Sequence, residues 1–218
     1  MKHERPNSIV YNMDNMEFMA SVPDKYYDLA IVDPPYGIGI SGNPVRQKHK
    51  KKNWDNETPT AEYFDELFRV SKNQIIWGGN YFDLPATQGF FIWDKKQPHD
   101  FSLAMIEYAW SSIQKPAKMW SLSVQKEQNK IHPTQKPIAL YDWIYKNYLP
   151  NGGKVIDTHL GSGSNRISAH KRGNIIFDAC ELDVDYFNDG NARFDEFIMK
   201  YEPAELHPIT KQGQSKLF

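Results

Sequence analysis

The sequence predicts a single α/β domain built on a doubly wound, mostly parallel sheet of seven strands. Short apolar runs alternate along the chain with segments whose apolar residues recur at helical spacing, which is typical of strand–helix–strand units. A chain of 218 residues with 40% hydrophobic and 14% aromatic residues suits one domain with a full core. Towards its end the chain has a strand, a glycine turn and a helix, an order typical of nucleotide-binding sheets.

The predicted strands are short apolar runs bounded by turn residues or charges. In chain order they lie at 8–12, 28–33, 74–78, 89–94, 105–112, 154–157 and 174–181. There are no repeats and there is no sign of a second domain, so one domain is predicted over residues 1–201. Residues 202–218 are polar without an apolar period and are predicted to form a loose tail.

Four helices are predicted between these strands, at 59–71, 138–149, 164–171 and 184–200. Pro137 lies near the start of the second helix, and Asn151–Gly153 stops it. Its apolar residues recur at helical spacing: Leu140, Tyr141, Ile144, Tyr145 and Tyr148. The last helix has one apolar face, which is expected to be core: Phe187, Phe194, Phe197, Ile198 and Tyr201.

Composition excludes several classes of protein. No apolar run is long enough to span a bilayer, and the first residues, MKHERPNS, lack the apolar core of a signal peptide, so a cytoplasmic protein is expected. The single cysteine, Cys180, rules out an internal disulfide, and no Cys or His spacing suggests a metal site. The net charge is −1, so binding to nucleic acid would need a local basic patch.

The strand at 28–33 leads into the tetrad Asp33, Pro34, Pro35 and Tyr36. A carboxylate and a proline-rigidified peptide carbonyl supply two hydrogen-bond acceptors, and the aromatic ring supplies a stacking face. These groups fit the exocyclic amine of a nucleobase, which has two N–H bonds on a flat ring. The tetrad therefore predicts transfer of a group onto that nitrogen.

A basic run follows the tetrad inside a long connection at 37–58. It places five cations within seven positions: Arg46, Lys48, Lys50, Lys51 and Lys52. Such a loop could neutralise several phosphates of a nucleic acid. A solvated charge run that keeps a long loop in water explains the same residues, and the position beside the tetrad favours the phosphate-binding role.

The glycine turn near the end of the chain predicts a nucleotide-like cofactor. Asp157 ends a strand, Gly161 and Gly163 form the turn, and Glu181 lies 24 residues beyond Asp157, close to the spacing at which a carboxylate meets ribose hydroxyls. An ordinary αβ unit with a helix-capping acid would give the same pattern. Since the chain has no GxxxxGK[ST] loop, the expected cofactor carries an adenosine without a phosphate chain.

A polar segment before the 138–149 helix is a third candidate. His132, Thr134 and Lys136 lie there, and a hydroxyl with an ammonium could receive a ligand carboxylate. A polar linker with a capping threonine is the alternative.

In this order, Asp33–Tyr36, His132–Pro137 and Asp157–Ser164 resemble the motifs of the beta-class amino-group DNA methyltransferases, in which the target-amine motif precedes the S-adenosylmethionine motif. The resemblance runs from about Tyr11 to Phe194 and includes Gly78–Phe82, similar to the family's loop beside the catalytic pocket. It implies a circularly permuted, Rossmann-like S-adenosylmethionine-dependent methyltransferase fold. The strands at 89–94 and 105–112 would provide that fold's antiparallel strand.

Two further segments are similar to short adenine methyltransferases of phages and mobile elements. These are Trp93-Asp94-Lys95 and Glu107-Tyr108-Ala109-Trp110. The chain departs from the family at Thr158-His159, where a proline and an aromatic residue are more usual.

The resemblance assigns roles residue by residue. In the tetrad, Asp33 and the Pro34 carbonyl would bind the target amine, and Tyr36 would stack on the flipped base. Glu181 would take the ribose hydroxyls, and Asp14 would lie near the adenine ring unless it only caps the helix that follows. Thr134 and Lys136 would meet the cofactor carboxylate. The full implied cofactor set is Asp14, Asp33, Thr134, Lys136, Asp157, Gly161, Gly163 and Glu181.

The implied activity is site-specific methylation of adenine N6 in double-stranded DNA. A cytosine-N4 enzyme is the nearest alternative, although its tetrad more often begins with serine. Enzymes acting on RNA or protein amides usually begin with asparagine, and a non-catalytic DNA-binding remnant is a fourth possibility. A homodimer and a cognate restriction nuclease are possible partners.

Target recognition would fall to two regions, 37–58 and 95–130, because the chain leaves little else for a recognition domain. Four further residues could touch DNA, although surface polarity explains them equally well: His99, Lys115, Lys118 and Lys126.

Overall fold

The structure, a computed structural model, describes residues 1–39, 52, 54–99, 104–123 and 130–201. Within those ranges nine strands form one sheet in the order β1-β2-β9-β8-β3-β4-β6-β5-β7. The strands are β1 Lys2–Arg5, β2 Ser8–Tyr11, β3 Leu29–Val32, β4 Gln74–Trp77, β5 Phe90–Asp94, β6 Ile106–Ser111, β7 Lys118–Ser121, β8 Gly153–Asp157 and β9 Ile175–Cys180.

All four predicted helices form, and a fifth, short helix precedes them. The helices are α1 Asn15–Ala20, α2 Ala61–Val70, α3 Ile138–Tyr148, α4 Ser164–Arg172 and α5 Val184–Tyr201. A 3-10 turn, Gly79–Tyr81, follows β4. Among the helices of the described ranges, none combines the length and the apolar character needed to cross a membrane.

The sheet is mostly parallel, as predicted. The strands β2, β9, β8, β3 and β4 run parallel to one another, and β7 runs parallel to β5. The edge strand β1 is antiparallel to β2, and β6 is antiparallel to both β4 and β5. The predicted antiparallel strand is therefore confirmed as β6.

The predicted count of seven strands is wrong, because β1 and β7 were missed. Both are four-residue strands with mostly exposed or half-buried side chains, KHER and KMWS. They form the two edges of the sheet, β1 beside β2 and β7 beside β5. Backbone pairing holds such edge strands without the apolar pattern that reveals a strand in the sequence.

Helices cover both faces of the sheet. Alternate residues of β3 face opposite sides: Leu29 and Ile31 join the core under α3, α4 and α5, and Ala30 and Val32 join the core under α1 and α2. The five core residues predicted for α3 are all buried. In α5 the prediction is confirmed for Phe187, Phe194 and Ile198, whereas Tyr201 is 62% exposed at the last turn.

Candidate active site

The tetrad and the glycine turn lie side by side at the carboxyl ends of the strands. The strands β3 and β8 are parallel neighbours that pair Ala30 with Ile156, so the loops that follow them leave the same edge of the sheet. The side chain of Asn165 links the two, because its Nδ2 donates to Asp157 Oδ2 at 2.9 Å and to the Ile31 carbonyl at 3.4 Å. Two segments more than a hundred residues apart in sequence thus lie side by side at one edge of the sheet.

The carboxylate of Asp33 is held at both oxygens. Its Oδ1 accepts from the Tyr36 hydroxyl at 2.6 Å, and its Oδ2 accepts from Lys136 Nζ at 2.5 Å. The side chain is 21% exposed and lines a pocket with Pro34, Pro35, Tyr36, Trp54, Asp55, Glu107, Thr134 and Lys136. Burial raises the pKa of Asp33, and Lys136 only partly opposes this.

A second carboxylate, Glu107 of β6, approaches Lys136 from the other side. Its Oε2 lies 3.1 Å from Lys136 Nζ, and its Oε1 lies 2.5 Å from Lys95 Nζ. Burial would raise the pKa of Glu107, but the two lysines outweigh burial and lower it. Burial would lower the pKa of Lys136, and the two carboxylates reverse this and raise it. Lys136 is therefore a buried, charged ammonium between two acids.

The ring of Tyr36 is packed on one side by aromatic residues of the loop after β4. It stacks on Tyr81 with ring centroids 5.0 Å apart and 11° between planes, and the edge of Phe82 lies 6.2 Å away. Gly78 makes this possible, because a Cβ on it would lie 2.1 Å from Cε1 of Tyr36 and its φ is +68°. The position of Tyr36 thus depends on a glycine 42 residues later in the chain.

The end of the 37–58 connection folds back over this cleft. Asp55 is 1% exposed, and its Oδ1 accepts from the backbone N–H groups of Tyr36 at 2.7 Å and Gly37 at 3.1 Å. The ring of Trp54 lies 5.3 Å from that of His132. Asp55 therefore fixes the backbone of the tetrad.

Replacing Asp55 with alanine should lower the free energy of unfolding by about 1–2 kcal/mol, because the change leaves two backbone donors without this acceptor. Urea denaturation would measure the loss. Asp65→Ala, on the exposed face of α2, is the control and should stay within about 0.5 kcal/mol of the wild type. Equal stabilities of Asp55→Ala and Asp65→Ala would contradict the role given to Asp55.

The predicted DNA-binding lysines are only partly described. Arg46, Lys48, Lys50 and Lys51 lie outside the described residues. Lys52 Nζ pairs with Asp183 at 2.6 Å and with Asp185 at 2.8 Å, at the start of α5. Its contact with a phosphate stays a prediction, and in this structure the ammonium forms ion pairs with two carboxylates.

The glycine turn has the geometry expected of a cradle for a ligand. Gly161 and Gly163 have φ values of +52° and +72°, which favour glycine. The Gly161 N–H donates to Glu181 Oε2 at 2.9 Å, and Glu181 Oε1 accepts from the Asp183 N–H at 2.9 Å. Burial raises the pKa of Glu181, so this carboxylate at the end of β9 is both buried and tied to the turn.

Asp157 lies at the bottom of the cradle. It is buried, its Oδ2 accepts from Asn165, and its Oδ1 accepts from the His159 N–H at 3.1 Å. Burial raises its pKa to about 7. A buried carboxylate of this kind would favour a cationic ligand.

The neighbours of the turn explain the departure at Thr158-His159. Thr158 is buried with its hydroxyl 2.6 Å from that of Tyr63, and His159 Nε2 lies 3.1 Å from Asn15 Nδ2. Burial lowers the pKa of His159 to about 4, so the imidazole is neutral at neutral pH. Asp14 Oδ1 accepts from the N–H groups of Met16 and Glu17. The capping role weighed for Asp14 is therefore observed, and its place near an adenine ring stays a prediction.

The segment before α3 joins the two halves of the site. The ring of His132 lies 4.3 Å from that of Tyr186, and a Cβ on Gly161 would lie 3.7 Å from His132. Thr134 Oγ1 lies 3.1 Å from His132 Nδ1. Lys136 turns to Asp33 and Glu107, so the contact of Thr134 and Lys136 with a cofactor carboxylate stays a prediction.

Sequence reasoning missed three residues of the cleft: Trp54, Asp55 and Glu107. Trp54 and Asp55 belong to no recognisable motif. They lie in a connection whose conformation depends on contacts with residues distant in sequence. Glu107 did leave a signal, because it is a lone acid in the apolar strand IEYAWS, where an unpaired charge would be costly.

The chain is similar in sequence to several known proteins. No family model matches it. The tRNA1(Val) (adenine(37)-N6)-methyltransferase of Pedobacter heparinus is 30% identical over 96 residues, 44% of this chain and 39% of that protein. The Type II methyltransferase M.BglII of Bacillus subtilis is 23% identical over 81% of this chain and 66% of that protein. The chain thus spans under half of the first relative and about two thirds of the second.

Solved structures resemble the chain over most of its length. The M1.HpyAVI–SAM complex matches with a TM-score of 0.57 and 20% identity, over 84% of this chain and 98% of that one. The PvuII DNA methyltransferase, described as cytosine-N4-specific, matches with a TM-score of 0.57 and 15% identity, over 89% and 92%. The chain is therefore similar in sequence to proteins named as Type II methyltransferases, and its α/β fold resembles that of the M1.HpyAVI and PvuII methyltransferase structures.

Proposed function

We propose that the protein is a DNA methyltransferase that transfers the methyl group of S-adenosylmethionine to N6 of an adenine flipped out of double-stranded DNA. The observation that carries this proposal is the shared cleft, in which Asp33 and Tyr36 lie beside a glycine cradle with buried acids. The sequence relatives named as Type II methyltransferases support DNA as the substrate.

The residues of the cradle fit the cofactor. Gly161 has a backbone conformation that other residues rarely adopt, and its N–H donates to Glu181. The lone pairs of the Glu181 carboxylate that are not used by backbone N–H groups could accept hydrogen bonds from ribose hydroxyls. Asp157 would face a positively charged ligand. When bound there, S-adenosylmethionine supplies a methyl group made electrophilic by its sulfonium.

The tetrad would act on the nitrogen that receives the methyl group. Each oxygen of Asp33 keeps a lone pair beyond its present bond, so the carboxylate can accept an N–H of the base without losing Tyr36 or Lys136. Together with the Pro34 carbonyl it would stabilise the positive charge that develops on nitrogen in the transition state. Holding the amine in line with the methyl group would contribute further.

Adenine is proposed over cytosine because the tetrad begins with aspartate. Cytosine N4 presents a similar amine, and the PvuII enzyme of the other class shares the fold, so cytosine is the second candidate. The local likeness to a tRNA methyltransferase makes RNA a substrate to be tested alongside DNA. A homodimer and a partner nuclease stay predictions.

One assay tests the proposal. The protein is incubated with methyl-labelled S-adenosylmethionine and unmodified DNA or RNA, the nucleic acid is digested to nucleosides, and the labelled nucleoside is identified. Labelled N6-methyldeoxyadenosine is the expected result. Labelled N4-methyldeoxycytidine would overturn the choice of base, and label in RNA alone would overturn the choice of DNA. Binding of DNA with no label transferred would indicate a non-catalytic remnant.

Cofactor affinity is expected to rise about tenfold between about pH 6 and about pH 8. Asp157, with a pKa of about 7, is largely protonated at the lower pH. A cationic cofactor would lower that pKa, so binding releases a proton and tightens as pH rises. Titration calorimetry at both pH values measures this, and Asp157→Asn should flatten the dependence. An equal Kd at both pH values in the wild type would count against a charged Asp157 in the complex.

A further inference from the structure

A buried chain of alternating charges runs behind the tetrad. Lys136, 2% exposed, lies between Asp33 and Glu107, and Glu107 in turn pairs with Lys95 near the surface. The ammonium of Lys136 also lies 4.9 Å from the ring centroid of Trp77. Four different parts of the fold supply the charged groups: the loop after β3, the loop after β5, strand β6 and the segment before α3.

Lys136 poses a problem for the proposed reaction. On methyl transfer the S–CH3 bond of the cofactor would break as the N–CH3 bond forms, and the nitrogen would carry positive charge until one of its protons passes to solvent. A buried ammonium within reach of the same carboxylate opposes that charge. Asp33 and Lys136 alone form a neutral pair, so the field at the amine would be weak. Adding Glu107 on the far side of Lys136 gives the three groups nearest the amine a net charge of −1; the balancing charge of Lys95 lies beyond Glu107, outside the residues that line the pocket.

We propose that Glu107 is a positioning residue for methyl transfer: it balances the charge of Lys136, so that Lys136 can orient the Asp33 carboxylate without cancelling its negative charge at the target amine. This inference rests on the proposed function. Tyr36 holds one oxygen of Asp33 and Lys136 holds the other, which fixes the plane of the carboxylate. Glu107 lines the same pocket, and the role proposed for it runs through its contact with Lys136.

Stability alone gives little reason for the arrangement. Replacing a buried ion pair or triad by apolar residues of similar volume is often neutral or stabilising. A buried triad beside a reactive carboxylate instead serves to hold that carboxylate in one orientation.

Several titratable groups face Asp33 from the elements around it. They are Tyr36 in the tetrad, Glu107 on β6, Lys136 before α3, Tyr141 on α3 and Asp157 on β8. Glu107 raises the pKa of Asp33, so loss of its charge should lower that pKa. This gives the proposal a signature in the pH profile of kcat.

The test compares Glu107→Gln with the wild type in the labelled-methyl assay at saturating cofactor and DNA. The variant should lower kcat by about 10-fold to 100-fold, change the KM for S-adenosylmethionine little, and move the acid limb of the kcat profile to lower pH. Glu66→Gln is the matched control, because it removes the same charge from an acid on α2 that pairs with Arg69, and it should keep the wild-type kcat. A variant that loses activity with the acid limb unmoved would show a structural role only and overturn the inference.

The double variant Glu107→Gln/Lys136→Met separates charge from folding. It removes the ammonium that would cancel the charge of Asp33, so its kcat should exceed that of Glu107→Gln, and it should be measured even where the single variant does not fold. The inference would be overturned if the double variant turned over no faster than a folded Glu107→Gln. It would also be overturned if Glu107→Gln did not fold and the double variant had no turnover. An inactive wild type would overturn the proposed function and this inference with it, whereas an active wild type matched by Glu107→Gln would overturn this inference alone.

Discussion

Replacing Asp33 with alanine should lower kcat for methyl transfer by about a thousandfold or more, while S-adenosylmethionine still binds. The carboxylate is the group that would meet the amine as positive charge develops. The two other carboxylates of the described pocket are engaged elsewhere, Glu107 with Lys136 and Lys95, and Asp55 with the backbone N–H groups of Tyr36 and Gly37. The remaining Lys136–Glu107 pair keeps the buried ammonium compensated, so the variant should fold.

Two measurements on Asp33→Ala separate chemistry from binding. Single-turnover rates report the transfer step, and calorimetry reports the Kd for S-adenosylmethionine, which should change by less than about threefold. Asp65→Ala serves as the control for removal of a carboxylate elsewhere. Turnover at the wild-type rate in Asp33→Ala would refute the assignment of the tetrad.

Replacing Gly78 with alanine should lower kcat/KM for DNA by about a hundredfold or more. The new Cβ would lie 2.1 Å from Cε1 of Tyr36, so the ring has to leave its place against Tyr81, and its hydroxyl has to leave Asp33. The positive φ of Gly78 adds backbone strain of about 1–2 kcal/mol. Both the stacking surface and the orientation of Asp33 are therefore disturbed by one methyl group.

Gly173→Ala is the matched control for this change. Gly173 ends α4 with a φ of +72°, and a Cβ there meets nothing within 4 Å, so it carries the same backbone strain without the collision. Steady-state kinetics and thermal unfolding on both variants separate the two effects. Comparable activities of the two variants would show that backbone strain, and not the displacement of Tyr36, causes the loss of activity in Gly78→Ala.

The parts of the fold that could be predicted depend on local patterns. Strand β3 with its tetrad, the glycine turn and helix α3 each combine an apolar period with turn residues close by in sequence, so their existence and order followed from the chain itself. The edge strands β1 and β7 were missed because an edge strand pairs through its backbone and needs no apolar pattern of side chains.

The sequence could identify the acids of the site, but not the residues with which they pair. Asp33, Asp157 and Glu181 end their strands, and a parallel sheet brings such ends to one edge. The pairing of Lys136 with Glu107 depends instead on the antiparallel register that sets Ala109 opposite Trp77 and so brings Glu107 towards the pocket. Likewise, charge density suggested phosphate contacts for Lys52, but Asp183 and Asp185 lie far away in sequence and nothing local pointed to them.

The nearly parallel rings of Tyr36 and Tyr81 have a consequence for how a base would be taken from the double helix. A nucleotide that leaves its strand loses the overlap with the base pairs above and below it, at a cost of a few kcal/mol. The two rings already lie one over the other, and an extruded purine would stack on the face of Tyr36 that is turned away from Tyr81. The protein would thus return, on its own surface, part of the π-overlap that the duplex gives up.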